Sequence, residues 1–248
     1  MSSKVAVIVE TRKHKALSFV LNNFLSNLPE DWKIQIFHGS ENFEYLTNIV
    51  EKIKDNDRII FTDLNVKDMY HDDYVDMFTK EKFWNLCEGD TILTFQVDTM
   101  LCSNSKFKVS DFEHHDYIGG YWGTEIYPLN EEHQVVMNGG LSIRKKQFML
   151  DIINNNLESY LENGGNPCED YFVSSQVKNR PTAREVRNFS IDNGYISPLD
   201  MEIPFAVHKP WGVNPSKGHG RYYNDIKKVC SEVEKLQSLQ EEINWWEK

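Results

Sequence analysis

Four short runs rich in β-branched and aromatic residues, each followed by helical periodicity, set the main constraint on this chain's fold. The runs are Lys4–Glu10 (KVAVIVE), Lys33–Phe37, Arg58–Phe61 and Thr91–Phe95, and each is too short for a helix and apolar enough for a buried strand. Between them, Leu17, Val20, Leu21, Phe24, Leu25 and Leu28 share one helical face, with Pro29 as the stop. Leu46, Ile49, Val50 and Ile53 define a second helix, and Phe78, Phe83, Trp84 and Leu86 mark a third helical region. Strands alternating with helices imply βαβ units: an α/β protein with a Rossmann-type mixed, mainly parallel sheet flanked by helices. Connection handedness puts those helices on both faces.

A length of 248 residues suits one large core, read as a domain over 1–223. From Asn224 onward Ile226, Val229, Val233, Leu236, Leu239, Ile243 and Trp246 recur every three or four residues. That spacing predicts one long amphipathic helix over 224–248, docked on the domain or at a dimer contact anchored by Trp245 and Trp246. Monomer and homodimer both stay open. A net charge of −11 argues against nucleic acid as the main partner, because neutralising phosphates needs a basic surface. Cys87, Cys102, Cys168 and Cys230 show no close pairing and are expected to be free thiols in a reducing compartment. With no apolar run of membrane-spanning length and an N-terminus that reads straight into a strand, a cytoplasmic location is expected.

Several residues stand where an α/β protein binds ligands. Asp98 follows the strand Thr91–Phe95, so it faces the crevice beyond the strand's carboxyl end or caps the next turn. Asp63 ends the preceding strand and reads as a base or ribose ligand or as a turn carboxylate. Thr11 and Arg12 lie between the first strand and first helix, the layout of a nucleotide-phosphate site. The glycine fingerprint of a dinucleotide enzyme is missing there. Tyr117 and Trp122, in DYIGGYW before Gly123, are core aromatics or a wall on which a ring stacks. In VVMNGGLSIR, Asn138, Gly139 and Gly140 precede a strand and let the backbone approach a phosphate or sugar closely. Glu169 and Asp170 open a helix, where acids complement the dipole or one acts as a general base. His208 ends an apolar segment in FAVHKPWG, before Lys209 and Trp211; it is a structural histidine or a nitrogen ligand that, with a carboxylate, suits Mn2+ better than Mg2+. Lys209 and Arg144 are cations that could offset phosphate charge. The remaining histidines, the His114–His115 pair included, fit no partner pattern.

An acid at a central strand end, a paired-glycine segment, an acidic pair opening a helix and a late histidine come in an order that resembles the nucleotide-sugar glycosyltransferases of the GT-A fold. More closely, FQVDTMLC, MNGGLSIRKK, CEDYF and FAVHKPWG look like a small family of bacteria and large DNA viruses known mainly as a domain of unknown function. The resemblance spans about Lys4 to Gly220. It implies that Gln96-Val97-Asp98 occupies the Asp-x-Asp position, with Gln96 in place of the first acid. Asp98 and His208 would then hold Mn2+ or Mg2+, and Asn138, Gly139 and Gly140 would lie near the donor sugar. Asp170, beside Glu169, would be the base, and Thr11, Arg12, Asp63, Gln96 and Lys209 would serve the nucleotide. Trp122, Gly123 and Trp211 would face the acceptor. The implied activity is inverting transfer from a UDP-sugar to a glycan or other hydroxyl acceptor. A catalytically inactive carbohydrate- or nucleotide-binding protein is the alternative, favoured by Gln96. A nucleotidyltransferase is a third, and nothing here resembles its glycine- and lysine-rich opening loop.

Overall fold

The computed structural model describes residues 3–122, 136–212 and 214–240. Its strands are β1 (Lys4–Val9), β2 (Trp32–His38), β3 (Ile59–Asp63), β4 (Thr91–Phe95), β5 (Thr99–Leu101), β6 (Tyr117–Tyr121), β7 (Met137–Lys145), β8 (Ser190–Asp192) and β9 (Ala206–His208). The helices are α1 (Leu17–Asn27), α2 (Phe43–Val50), α3 (His71–Met77), α4 (Glu81–Leu86), α5 (Lys146–Glu162), α6 (Glu169–Gln176), α7 (Ala183–Phe189), α8 (Tyr223–Val229) and α9 (Val233–Ser238).

The four expected strands form a parallel block, β3-β2-β1-β4. Val5, Ala6, Val7 and Ile8 are buried on alternate faces of β1, as expected when helices cover both sides. On one side α1 presents Leu17, Val20, Leu21 and Phe24, and the Phe24 ring stacks on Phe95 at 3.9 Å between centroids. Beyond β4 the order continues β7-β6-β8-β9-β5, with β7 antiparallel to both neighbours.

The connection between β4 and β5 shapes the whole molecule. These strands stand fourth and ninth in the sheet, yet only Gln96, Val97 and Asp98 separate them in the chain. From Phe95 to Thr99 a fully extended chain reaches at most about 14 Å. The far half of the sheet therefore curls back until its last edge meets the end of β4. Asp98 sits at that seam.

Two expectations are corrected. The helix expected from 224 onward is interrupted: α8 ends at Val229, Cys230 leaves the helical region (φ −127°, ψ 72°), and α9 begins at Val233. Ile226, Val233 and Leu236 are all buried, so an apolar repeat of three to four residues fits two short docked helices as well as one long one. Ile243, Trp245 and Trp246 lie outside the described residues. Cys230 also forms a disulfide with Cys102, 128 positions away, so the cysteines are not all free thiols. Disulfides persist in oxidising compartments, and cysteine usage no longer argues for a reducing one. Among the described residues, no helix is long and apolar enough to cross a membrane.

Candidate active site

Strand pairing assembles the first half of the site. In register, Thr99 of β5 lies opposite His208 of β9, and His208 lies opposite Asp192 of β8. This row sets the His208 imidazole between two carboxylates, with Nε2 3.3 Å from Asp98 Oδ1 and Nδ1 3.2 Å from Asp192 Oδ1. Gln96 Oε1 approaches the same Nε2 at 3.1 Å, while Gln96 Nε2 donates to Tyr74 Oη at 3.1 Å. Lys209 is fastened to Asp98 twice, by its backbone N–H to Asp98 O (3.0 Å) and by Nζ to Oδ2 (3.1 Å). Its φ of 43° is left-handed, a conformation that costs free energy in a residue other than glycine and recurs at functional sites.

Charge pairing outweighs burial here. Burial alone would lower the His208 pKa, but Asp192 and Asp98 raise it to about 9. Burial would likewise favour protonated Asp98, yet Lys209 and His208 hold that carboxyl well below its usual range. Sequence reasoning missed Asp192, which is fully buried. The signal available was Ser190-Ile191-Asp192-Asn193-Gly194, an acid ending a short β-type run before a turn pair, as Asp98 does.

The second half of the site is built on a bulge in β7. Gly119 of β6 pairs with Ser142, while its neighbour Gly120 pairs with Asn138. Gly139, Gly140 and Leu141 therefore have no partner in β6 and bow out of the ladder. The paired glycines thus lie within a strand rather than in a loop before one. Asn138 Oδ1 accepts from the Gly140 N–H (2.7 Å), and the Gly139 N–H donates to Asp170 Oδ1 (2.8 Å). A Cβ on Gly140 would run into the His208 ring, and one on Gly139 would meet the Arg144 guanidinium and the Asp170 and Glu169 carboxylates. The glycines thus make room for protein side chains, and the two halves of the site meet back to back across them. Gly140→Ala is expected to displace the His208 ring, and the overpacking costs the fold about 1–3 kcal/mol. Melting curves of the variant and the wild type check this; an unchanged melting temperature would mean that the His208 ring yields without cost.

Behind the bulge Arg144 is fully buried, so it is not available to offset phosphate charge. Its guanidinium pairs with Glu169, donates from Nε to Ser142 Oγ (2.8 Å), and lies over the rings of Phe78, Trp84 and Tyr117 at 5.2–5.5 Å. Tyr117 belongs to this core, donating its hydroxyl to Met137 O at 2.8 Å. Burial and the adjacent Glu169 carboxylate push the Asp170 pKa well above the usual carboxyl range, against the pull of Arg144 and the Gly139 N–H.

The other sequence candidates are more dispersed. Thr11 Oγ1 donates to Asp68 Oδ1 (2.8 Å) and accepts from the Met69 N–H (3.1 Å), tying two loops together. Arg12 makes a two-pronged contact with Glu10 (2.7 Å each) and faces the field of Asp98. Asp63 accepts from the Asn65 N–H (2.7 Å) at the exposed end of edge strand β3, three strand spacings or about 14 Å from β4. Trp122 is half-buried, edge-on to Tyr171 at 6.4 Å and so beside the acid pair, and Trp211 meets Tyr223 edge-on at 6.4 Å. Gly123 lies outside the described residues.

A parallel block continued by a curled mixed sheet, with the acid-bearing link at the seam, is the GT-A fold of glycosyltransferases. The chain aligns with galactosyltransferase LgtC in complex with donor and acceptor sugar analogues at TM-score 0.54 and 10% identity, covering 98% of both chains. An active-site mutant of LgtC aligns at TM-score 0.56 and 10% identity, over 95% of this chain and 94% of that one. The apo form of glycosyltransferase GlyE from Streptococcus pneumoniae TIGR4 aligns at TM-score 0.54 and 11% identity over 96% of this chain, which spans 64% of GlyE. At such identities the likeness concerns the fold alone. By sequence, residues 58–208, more than half of the chain, match the family described as "Protein of unknown function (DUF5672)", and the chain belongs to it. No curated protein matches it.

Proposed function

We propose that this protein is a glycosyltransferase that moves a sugar from a nucleotide-diphosphate sugar, a UDP-sugar first among them, to a hydroxyl acceptor with inversion. The observation that carries this reading is the back-to-back packing at the β7 bulge, where Gly140 abuts His208 and Gly139 abuts Asp170. A cation and diphosphate site on one side of the bulge and a carboxyl of raised pKa on the other are what direct transfer needs.

The residues present fit a divalent ion. Asp98 Oδ1 is buried with no hydrogen-bond partner among the described residues, and it converges with His208 Nε2 and Gln96 Oε1. Such a mixed oxygen and nitrogen set suits Mn2+ or Mg2+. Asp192 behind Nδ1 supplies the carboxylate that commonly orients a metal-bound imidazole. When bound, the ion would neutralise charge growing on the diphosphate. Lys209 adds positive charge to the same side, and Arg12 and Thr11 border it, with Asp63 reserved for the distal nucleoside. Asn138, Gly139 and Gly140 would flank the donor sugar. Asp170 would take the acceptor proton through Oδ2, which meets only the long contact from Asn138 Nδ2 (3.5 Å), whereas Oδ1 accepts from the Gly139 N–H at 2.8 Å. As the acceptor oxygen bonds to the anomeric carbon, the carbon–oxygen bond to the diphosphate breaks and its electron pair leaves with UDP. Trp122 and Trp211 would wall the acceptor side.

Thermal melting with UDP, GDP, CDP and dTDP, each with and without Mn2+, tests donor and metal together. A ligand at about 100 times its Kd adds about 2.7 kcal/mol to the native state, so UDP with Mn2+ is expected to raise Tm by roughly 5–10 °C. No shift with any nucleotide would sink the donor assignment, and a shift equal without metal would sink the metal. The amide at Gln96, where the resemblance calls for a carboxylate, favours a second reading, a binding protein without turnover. Release of UDP from a UDP-sugar over time separates the two.

A further inference from the structure

At the end of the sheet away from Asp98, three side chains that the reaction does not use converge. His114 and His115 lie just before β6, and Glu185 lies in the first turn of α7, which packs against β6. Lys145, whose N–H donates to Asp116 O, is the register partner of Thr91, the first residue of β4, whereas Asp98 follows the last. One donor atom from each of His114, His115 and Glu185 lies within 4.8 Å of the other two.

Two further observations distinguish this cluster from a chance surface group. The His115 side chain is 8% exposed, and its buried Nε2 has no hydrogen-bond partner among the described residues while lying 3.6 Å from Glu185 Oε1. A buried polar nitrogen left in that state costs free energy unless a ligand completes it. The carboxylate, in turn, is held ready. Glu185 Oε2 accepts from the Thr182 N–H and hydroxyl, each at 2.7 Å, in the capping box of α7. Its other oxygen, Oε1, is thereby turned to both imidazoles, at 3.6 Å from His115 and 4.0 Å from His114 Nε2. Capping thus does the orienting that outer hydrogen bonds do for metal-binding carboxylates.

We propose that His114 Nε2, His115 Nε2 and Glu185 Oε1 bind a zinc ion, in a site separate from the glycosyl-transfer centre. Two imidazoles and a carboxylate with a fourth position open to solvent are a donor set that zinc takes tetrahedrally. Metal–ligand bonds of about 2.0–2.1 Å put tetrahedral donors about 3.3 Å apart. The separations from Glu185 Oε1 are 3.6 Å to His115 and 4.0 Å to His114, so the buried pair is close to the required spacing and rotation of the exposed His114 side chain brings in the third donor. Zinc there would pin the start of α7 to the loop entering β6. Since α7 runs directly into β8, it would also steady the strand that carries Asp192.

The test is calorimetric titration of zinc chloride into the full chain at pH 7.5, with His114→Ala, Glu185→Gln and Asp98→Asn alongside. Gln is itself a capping-box residue, so Glu185→Gln keeps α7 capped, and His114→Ala changes an exposed side chain. One zinc per chain that survives Asp98→Asn is expected, weakened at least tenfold by His114→Ala and by Glu185→Gln; a second zinc lost with Asp98→Asn belongs to the transfer centre. In the Asp98→Asn background zinc should raise the melting temperature, and adding Glu185→Gln should abolish that rise, while the metal-free proteins with and without Glu185→Gln melt alike. Failure of the wild type to bind zinc, or binding that only Asp98→Asn removes, overturns the site.

Discussion

Asp170→Asn is expected to lower UDP release in the presence of acceptor by about 10²–10⁴-fold, the usual contribution of a positioned general base, without lowering the melting temperature at pH 7. The second half of that expectation follows from the direction of the pKa shift. Burial and Glu169 hold the Asp170 carboxyl above its ordinary range, whereas the unfolded chain ionises near the ordinary value of about 3.9. Between those two values the folded state binds the extra proton, so stability falls as pH rises through that window. Asn is neutral throughout and keeps an oxygen to accept the Gly139 N–H, so the variant should lose this slope and melt at or above the wild-type temperature at neutral pH. Melting from pH 4 to 8, paired with the rate of UDP release, measures both halves. Full activity in the variant would place the base elsewhere, and a large loss of stability would make Asp170 a structural residue.

The second large effect is on folding. Arg144→Met is expected to destabilise the protein by roughly 3–5 kcal/mol, because it leaves Glu169 buried without its counter-charge. Met is long enough to occupy much of the space among Phe78, Trp84 and Tyr117, so the loss reads the charge more than the volume. Adding Glu169→Gln to Arg144→Met should recover part of it. Urea unfolding midpoints of the two variants decide the matter. A cost below about 1 kcal/mol for Arg144→Met would mean that the carboxylate finds water or another partner.

How much of this was legible in the sequence depended on strand length and on which partners a residue meets. Strands β1, β2 and β4 are largely buried on both faces and, with the half-buried edge strand β3, read as near-continuous apolar runs, so a parallel block could be inferred from the sequence. By contrast β5, β8 and β9 are three residues each, too short to show a period, and their pairing partners come from distant parts of the chain. Asp192 was missed for that reason. Asp98, His208 and the acid pair could be named because acids at strand and helix ends and a histidine after an apolar run are local patterns. Their convergence was not local, since it depends on a register shift between Gly119 and Gly120 that no composition rule reports. Gly139 and Gly140 were singled out as room for a ligand, whereas the space that they leave is filled by His208, Asp170 and Arg144. The Cys102–Cys230 pairing spans 128 positions, and spacing carries no information about it. The last helix failed as a single element because its repeat survives a bend.

The seam between β4 and β5 also sets an order in time. Gln96 and His208 lie 112 positions apart, so a ribosome adding 5–20 residues per second needs on the order of ten seconds between them. Through that interval the parallel half of the sheet can already fold, while Asp98 has neither His208 nor Lys209 beside it. A bare carboxylate resists burial, so the link should stay open to water and the curl unclosed until β9 arrives. The nascent chain is therefore expected to acquire its core well before its chemistry, with the pairing of β5 and β9 as the closing step.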